Sequence, residues 1–209
     1  FGAAPFRKAD GVELPNNKKT CSASVVTVSF GSYDSIPYYG MISPRLSHLC
    51  FFAFTDEHNT PPPSPWVQMS VPPRWVGAPN RVKSRVVKML SHQLLVHARV
   101  IFYVDGKLKF ASTEDIEALY RLFISSSVEW MSPIHPTRRT VMEEAFCLYL
   151  SNMTTYRVFE HVRSIYSASQ MYTDVLLEGE WHIRRVGPAS NIAAERWFQA
   201  YMAGTELGN

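Results

Sequence analysis

The chain has 209 residues, of which 46% are hydrophobic and 19% are charged, and its formal net charge is +3. These values predict one globular domain with a buried core and exclude an intrinsically disordered chain. No apolar run approaches the roughly 20 residues that a bilayer requires, so we expect no membrane span in this chain. The small positive excess suits an anionic ligand but does not indicate nucleic-acid binding.

The three cysteines, Cys21, Cys50 and Cys147, stand far apart and form no CxxC or Cys/His ligand spacing. This pattern argues against a structural zinc site and against a disulfide scaffold, and it leaves a single bridge as an open alternative. Because the chain begins at Phe1 rather than Met, a leader or a longer N-terminal region is an open expectation.

Strand-like and helix-like segments alternate along the chain. Residues 1–20 are predicted to be an extended N-terminal arm, residues 21–204 the folded domain and residues 205–209 a C-terminal tail. Runs of β-branched and aromatic residues predict strands over 23–30, 49–54, 66–71, 100–104, 129–132, 175–177 and 181–186. Helical spacing of apolar residues predicts helices over 80–96, from 112 onward, and over 137–150, 155–172 and 191–202. The alternation predicts an α/β fold.

Acidic residues follow three of the predicted strands. Asp34 comes shortly after the first strand, Asp56 after the second, and Asp105 directly after 100–104. Because ligands bind outside the carboxyl ends of strands in open α/β sheets, all three are candidate site residues. For Asp105 the alternative is a hairpin turn to residues 108–110, since Asp-Gly is common in such turns. That stretch alone favours the turn.

The predicted helix over 80–96 carries basic residues toward its start, namely Arg81, Lys83, Arg85 and Lys88. Positive side chains there oppose the helix dipole, a cost that a bound anion would relieve. A solvated basic face is the commoner explanation, but the pattern keeps phosphate binding open.

A second group of candidates precedes the helix that is predicted to begin at Thr137. His135 and Arg138 would lie at or just before the positive end of that helix, while Arg139 and Glu143 would share one face. A His and an Arg at this position suit an anionic substrate. A capping turn with a surface ion pair explains the same spacing equally well.

Six sequence blocks, taken together and in their order along the chain, are more informative than any one of them. They are Phe30-Gly31-Ser32-Tyr33-Asp34, Cys50 to Glu57, Arg85-Val86-Val87-Lys88 with His92, Tyr103-Val104-Asp105-Gly106-Lys107-Leu108, His135-Pro136-x-Arg138 followed by Glu143-Glu144-Ala145, and Arg184 with Asn191 and Trp197. Together they resemble a glycosyltransferase-like family that includes plant proteins of pectin and mucilage synthesis and related bacterial domains. The resemblance spans about residues 24–200.

The resemblance implies a GT-A-like nucleotide-diphospho-sugar transferase fold, with one domain and a mixed central sheet flanked by helices. It also implies transfer of a sugar from a nucleotide-sugar donor to a glycan or another acceptor. If the protein is eukaryotic and like the plant relatives, the resemblance implies the secretory pathway or the Golgi lumen.

The resemblance implies a role for each of several residues. Asp105 would hold Mn²⁺ or Mg²⁺, because these hard cations prefer carboxylate and phosphate oxygens, and the cation would stabilise the leaving diphosphate. Asp34 and Asp56 would line the nucleotide pocket, and Arg81, Lys88 and Lys107 would face the diphosphate. His135, Arg138 and Glu144 would form the acceptor side, where Glu144 would act as the base.

Two features favour a different function. The Asp-Gly motif, which is the form typical of this family, contains one acid where many GT-A enzymes use two separated by one residue, and the family's Arg-Asp-Gln segment does not follow the Trp197 helix. The alternative is a catalytically inactive subunit that serves as a structural or interaction component, with the arm at 1–20 and the Pro-rich loop at 60–73 as contacts to protein partners. A nucleotide-binding regulator is a third reading of the same pocket.

Overall fold

The structure is a computed structural model that describes residues 21–31, 35–36, 38–39, 46–56, 61–110, 112–169 and 176–208. The predicted arm at 1–20 and the candidate Asp34 lie outside these residues. The described residues form two compact units. The sheet unit comprises the residues up to Met131 together with Glu180–Glu195, and the helix-rich unit comprises Ser132–Gly179 together with the residues from Arg196 onward.

The sheet unit contains a mixed sheet of six strands in the order β3-β2-β1-β4-β6-β5. The strands are β1 Ala23–Ser29, β2 Leu49–Thr55, β3 Val67–Met69, β4 Val100–Val104, β5 Trp130–Met131 and β6 Trp181–Arg185. The first four pair in parallel, whereas β6 is antiparallel to both β4 and β5. The predicted α/β class with a mixed sheet flanked by helices is therefore confirmed.

Six helices accompany the sheet among the described residues. They are α1 Pro73–Val76, α2 Asn80–Leu94, α3 Thr113–Ser125, α4 Val141–Leu150, α5 Tyr156–Ser169 and α6 Pro188–Gly208. The sequence did not predict α1, which begins at the last residue of the Pro-rich loop. Pro73 is the first helical residue, a position where its missing N–H costs nothing. α6 continues beyond the predicted end at residue 202.

The packing of the core explains why the sequences of the central strands are continuous apolar runs. Every residue of β1 and of β4 is buried, as expected for parallel strands covered on both faces. Phe102 of β4, Ile183 of β6 and Ile116 of α3 belong to the same core cluster and are fully buried. Burial of each such side chain contributes about 1.5–3 kcal/mol.

The chain reverses its direction of travel across the sheet between β1 and β4. From β1 it moves to β2 and β3 on one side, and it then returns to β4 on the other side. In open α/β sheets the ligand crevice lies outside the carboxyl ends of the strands at such a switch point. Because β6 runs in the opposite direction, its first residue, Trp181, pairs with Val104, the last residue of β4. The start of β6 therefore lies at the same sheet edge.

Two local interpretations are corrected. β4 pairs with β1 and β6, and residues 108–110 form no strand, so the hairpin that was the alternative for Asp105 is not formed. The turn itself is present, since Leu108 N–H donates to the Asp105 carbonyl over 2.9 Å. Helix α4 begins after Thr140 rather than at Thr137, because Thr140 Oγ1 accepts from the backbone N–H of Glu143 over 3.1 Å and forms a capping box with it.

One disulfide joins Cys21, which lies just before β1, to Cys50 in β2, with the Cα atoms 5.6 Å apart. The single bridge that the cysteine spacing left open is the arrangement found, and Cys147 carries a free thiol. Within the part of the chain that the structure describes, no helix is both long and apolar enough to span a bilayer.

Candidate functional site

Helix α2 joins two strand ends through two buried lysines. Lys88 contacts Asp105, which directly follows β4, and Lys83 contacts Asp56, which directly follows β2. The two carboxylates therefore lie at the carboxyl edge of the parallel strands, which flank β1 in the sheet. The sequence analysis predicted this position for both acids from the order of strands and acidic residues along the chain.

The carboxylate of Asp105 is held by two neighbours. Lys88 Nζ lies 3.2 Å from Oδ1 and 3.3 Å from Oδ2, and the Tyr103 hydroxyl donates to Oδ1 over 2.7 Å. The backbone N–H of Asp105 donates to the carbonyl of Glu180, the residue before β6, over 2.8 Å. The start of the antiparallel strand β6 therefore holds the backbone at Asp105. The Asp105 side chain remains 20% exposed.

Lys88 is a buried cation, with its side chain only 4% exposed. Its Nζ lies 5.1 Å from the centroid of the Tyr103 ring, which is within the range of a cation–π contact. Burial lowers the pKa of Lys88, the positive charges of Arg85 and Lys107 lower it further, and the charge and hydrogen bond of Asp105 oppose that change. The ion pair therefore offsets part of the desolvation cost of the ammonium group.

Asp56 has a different set of contacts, and they tie three elements together. Its Oδ2 accepts from the backbone N–H of Gly31 over 2.6 Å, and its Oδ1 contacts Lys83 Nζ at 2.8 Å. Lys83 Nζ also lies 4.9 Å from the ring centroid of Phe30, the residue after β1. The carboxylate thus holds the ends of β1 and β2 against α2.

Further basic side chains lie near the Lys88–Asp105 pair. Arg85 and Lys107 lie close enough to Lys88 to affect its pKa, and Lys107 Nζ contacts Glu180 Oε1 at 2.7 Å. Arg81, which was predicted to face the diphosphate, is exposed in the first turn of α2. Basic side chains at the switch point suit an anionic ligand.

A buried aromatic and basic layer lies beside this corner. The His182 ring is stacked between Tyr103 and Trp130, with centroid distances of 5.4 and 4.9 Å. Burial lowers the pKa of His182 well below its usual value, and the charges of Arg184 and Lys88 act in the same direction. His182 is therefore neutral in the folded protein near pH 7.

Arg184 is fully buried, yet it keeps its charge, since burial lowers its pKa only to about 10. Its Nη2 donates to the Met89 carbonyl over 3.3 Å and to His92 Nδ1 over 3.1 Å. Because Nδ1 accepts, the ring proton of neutral His92 is on Nε2, which lies 3.2 Å from Glu195 Oε1. Burial lowers the pKa of His92, and Arg184 lowers it further, while Glu195 opposes the change.

The donor set around Asp105 does not match a divalent-cation site. Both oxygens of Asp105 face the Lys88 ammonium group, and one of them also accepts from Tyr103. Among the described ranges, which omit Asp34, no group of three or more His, Cys, Asp or Glu could hold a metal ion. Mn²⁺ or Mg²⁺ at Asp105 stays a prediction from the resemblance.

A separate cluster lies within the helix-rich unit, before α4. The residues around Ile134 pair with Leu177 in an antiparallel bridge, and the Glu178 N–H donates to the Pro133 carbonyl over 2.8 Å. This pairing places Glu178 Oε2 3.2 Å from His135 Nε2. Arg138 Nε forms a close ion pair with Glu144 Oε2, which lies 3.9 Å from the same imidazole nitrogen.

The backbone fixes the protonation pattern of His135. Its Nδ1 accepts from the N–H groups of Arg138, over 2.9 Å, and of Thr137, over 3.2 Å. A neutral ring therefore carries its proton on Nε2, for which Glu178 is an acceptor. Arg138 Nε and Nη2 lie 3.1 and 2.7 Å from the same nitrogen, so Arg138 and Glu178 both contact the Nε2 side of the ring. The imidazole is thus a turn-capping group, and this explains why α4 starts later than predicted.

An open pocket of about 590 Å³ lies beside this cluster, lined by residues 134–137 and by Arg139, Thr140 and Glu143. Arg139 and Glu143 were predicted to share a helical face. Instead, Arg139 precedes the helix, and its backbone N–H donates to Glu143 Oε2 over 2.6 Å. His135, Arg138 and Glu144, the predicted acceptor residues, do lie together.

Sequence reasoning did not assign Lys83, Glu178 or Glu180 to a site. Lys83 was grouped with the basic residues of α2, and only the structure shows that its ammonium group is buried against Asp56. The signal for Glu180 is its position directly before a strand that pairs antiparallel with β4. That pairing is long-range and cannot be read from local spacing.

A comparison with curated proteins gives no match. A comparison with domain families gives a match to the family described as TOD1/MUCI70, glycosyltransferase-like domain, over residues 7–199. The match includes both units and every block of the sequence resemblance, which is therefore confirmed. The chain belongs to the TOD1/MUCI70 glycosyltransferase-like domain family.

Proposed function

We propose that this protein is a glycosyltransferase of GT-A-like fold that takes its sugar from a nucleotide-sugar donor, and that the donor diphosphate binds at the carboxyl ends of β1 and β4. The Lys88–Asp105 pair carries this proposal, because it places a buried ammonium group and a carboxylate at the switch point of the sheet. The basic side chains near the pair, Arg85 and Lys107, favour a diphosphate, and the family membership supports a sugar as the group transferred.

The transfer makes one bond and breaks another. An acceptor hydroxyl oxygen bonds to the anomeric carbon, while the bond from that carbon to the diphosphate oxygen breaks and the electron pair stays on the diphosphate. The hydroxyl proton passes to a base. Fixed positive groups at the diphosphate lower the barrier because the leaving group gains negative charge in the transition state.

Glu144 is our proposal for the base, and His135 and Arg138 for binding the acceptor. The support is that the three side chains form one cluster in the helix-rich unit, beside an open pocket. Glu144→Gln removes the basic oxygen but keeps the size of the side chain. We expect it to lower turnover by at least about 100-fold with little change in donor affinity. Unchanged turnover would remove Glu144 from the mechanism.

An inactive family member is the second candidate, and one observation favours it. Both oxygens of Asp56 and both oxygens of Asp105 are already engaged by protein groups, as in a purely structural corner. In that case the Pro-rich loop is a candidate contact for protein partners. Its described part includes β3, so such a contact would use a segment that is already folded.

Calorimetric titration with the diphosphates of uridine, guanosine, adenosine and cytidine, each with and without Mn²⁺, tests the proposal. We expect one of them to bind, and Lys88→Met to weaken that binding by at least about tenfold, because it removes the buried positive charge at the switch point. Glu114→Gln, on the exposed side of α3, is the control and should bind normally. No binding by any nucleotide in either condition would reject the donor site and favour the inactive member.

We also propose that the protein works in an oxidising compartment such as the secretory pathway. The Cys21–Cys50 bridge supports this, because disulfides persist where thiols are not kept reduced. A thiol-alkylating reagent, added at lysis without reductant, should modify Cys147 alone. Modification of all three cysteines in the native protein would contradict the proposal.

A further inference from the structure

We propose that the Lys88 ammonium group is the fixed cation that faces the donor diphosphate, so that the donor binds without a divalent metal ion. The inference rests on the proposed function and concerns the same corner of the sheet. It replaces the expectation that Asp105 holds Mn²⁺ or Mg²⁺.

The first argument is the position of the ammonium group. Lys88 Nζ lies almost equally far from Asp105 Oδ1 and Oδ2, at 3.2 and 3.3 Å. A divalent cation would need at least one of those oxygens at about 2.0–2.6 Å. A metal ion and an ammonium group on the same carboxylate would repel each other strongly at that separation. Metal binding at Asp105 therefore requires Lys88 to move.

The second argument is that Lys88 has little room to move. Its side chain is 4% exposed and leaves the buried face of α2, where Val87 and Met89 on either side belong to the buried residues. The Tyr103 ring lies under the ammonium group, and the Tyr103 hydroxyl holds the carboxylate that the ammonium contacts. Displacing Lys88 would leave a buried charge without its counter-ion, which costs several kcal/mol.

The third argument is charge. The Lys88 ammonium group already places one positive charge on the Asp105 carboxylate, and Arg85 and Lys107 lie close enough to lower the pKa of Lys88. A metal ion would add two further positive charges beside these side chains. A diphosphate carries negative charge, so it would be attracted to them without a metal ion.

Lys88 would supply one hydrogen bond and a fixed positive charge to the diphosphate. An ammonium group has three N–H donors, and Asp105 offers two oxygens, so one donor remains for a diphosphate oxygen. When the sugar–oxygen bond breaks, the electron pair and the new negative charge stay on the diphosphate. Lys88 keeps its proton throughout and lowers the energy of that charge as a metal ion would, by its positive charge alone.

Lys83 provides a matched control on the same helix. It is also a buried lysine paired with a strand-end aspartate, and its ammonium group also lies over an aromatic ring, that of Phe30. Its partner Asp56 is additionally bound to the Gly31 N–H, which gives that pair a structural role. Lys83→Met and Lys88→Met therefore remove equivalent buried charges, and comparing them separates lost stability from lost ligand binding.

The experiment measures binding of the four nucleoside diphosphates by calorimetry, in EDTA and in Mn²⁺, for the wild-type protein and both variants. For the wild type we expect the dissociation constants in EDTA and Mn²⁺ to agree within about threefold. Lys88→Met should weaken binding in EDTA by about 10- to 100-fold, as expected for a charged hydrogen bond. Mn²⁺ should partly restore it, because Asp105 is then free for a cation. Lys83→Met should weaken binding in EDTA by less.

Three results would overturn the inference. If the wild type binds a nucleotide in Mn²⁺ but not in EDTA, the metal ion is required and the inference fails, while the proposed function stands. If Lys88→Met binds as tightly as the wild type in EDTA, Lys88 is not the cation. If no nucleotide binds in either condition, the proposed function fails and the inference with it. Titration with Mn²⁺ alone gives a second readout, for which we expect no binding to the wild type and measurable binding to Lys88→Met.

Discussion

Gly31 shows how one residue fixes the edge of the sheet at which we place the donor. It follows β1 closely and has a positive φ of 67°, a conformation that costs a residue with a side chain about 1–2 kcal/mol. Its N–H donates to Asp56 over 2.6 Å. A Cβ atom at this position would lie 2.3 Å from Asn80 Nδ2, at the start of α2. The positive φ therefore favours glycine, and the Asn80 side chain would have to move to make room for a Cβ atom.

We expect Gly31→Ala to lower the free energy of unfolding by about 2 kcal/mol, because it combines the strained φ with the approach of Asn80. Urea unfolding followed by circular dichroism measures this change. Gly77→Ala is the control, since Gly77 has a φ of −79° and an added Cβ would meet nothing within 4 Å. Equal losses in the two variants would show that the strain at Gly31 is not the cause.

At the scale of the element, α2 departs from regular helix at Leu90, where φ is −105° and ψ is 21°. Two side-chain hydrogen bonds to helical carbonyls lie beside this residue, one from β6 and one from α2 itself. Arg184 donates to the Met89 carbonyl over 3.3 Å, and the Ser91 hydroxyl makes a close hydrogen bond to the Val87 carbonyl. Side chains that take helical carbonyls in this way bend helices. The kink therefore accompanies the burial of the Arg184 guanidinium group beneath α2.

Arg184→Met should lower the free energy of unfolding by about 3 kcal/mol or more. It leaves His92 Nδ1 and the Asn191 side chain without their buried donor. Arg185→Met, at the neighbouring position of β6, is the matched control. Arg185 is only partly buried, so we expect a loss of about 1 kcal/mol. Thermal unfolding compares the two, and a larger loss for Arg185→Met would contradict this account.

At the scale of the whole molecule, the stability of the protein should depend on pH through its buried histidines. The pKa values of His92 and His182 are lowered by burial and by Arg184. In the unfolded chain both imidazoles titrate near pH 6.5. Below that pH the unfolded state binds protons that the folded state does not, so stability is full above about pH 6.5 and falls as the pH drops below it.

We expect the free energy of unfolding to fall by up to about 1.4 kcal/mol per pH unit for each of the two histidines below pH 6.5. Chemical denaturation at a series of pH values measures the slope, which does not depend on the absolute stability. His92→Gln and His182→Phe should each reduce the slope between pH 6.5 and 5. An unchanged slope in both variants would show that other groups control the acid sensitivity.

The sequence predicted the strands well because their physical causes are local. The buried runs at β1, β2 and β4 are continuous, and their boundaries agree with the structure to within a residue. The start of α4 was wrong because His135 binds the N–H groups at 137 and 138, a contact that no propensity contains. The sequence placed Asp56 and Asp105 correctly at the sheet edge. It did not predict that Lys83 and Lys88 are buried, because their burial depends on the packing of α2 against the sheet.

The two lysine–aspartate pairs also make α2 a spacer of fixed length. Lys83 and Lys88 are five positions apart, which is about 7.5 Å along a helix axis. The strands that they reach are β2 and β4, the two neighbours of β1, which stand about 9.6 Å apart. One residue inserted between the lysines would turn one of them by about 100° away from its aspartate. The number of residues between the two lysines is therefore constrained by the spacing of the strands, whatever ligand the sheet edge binds.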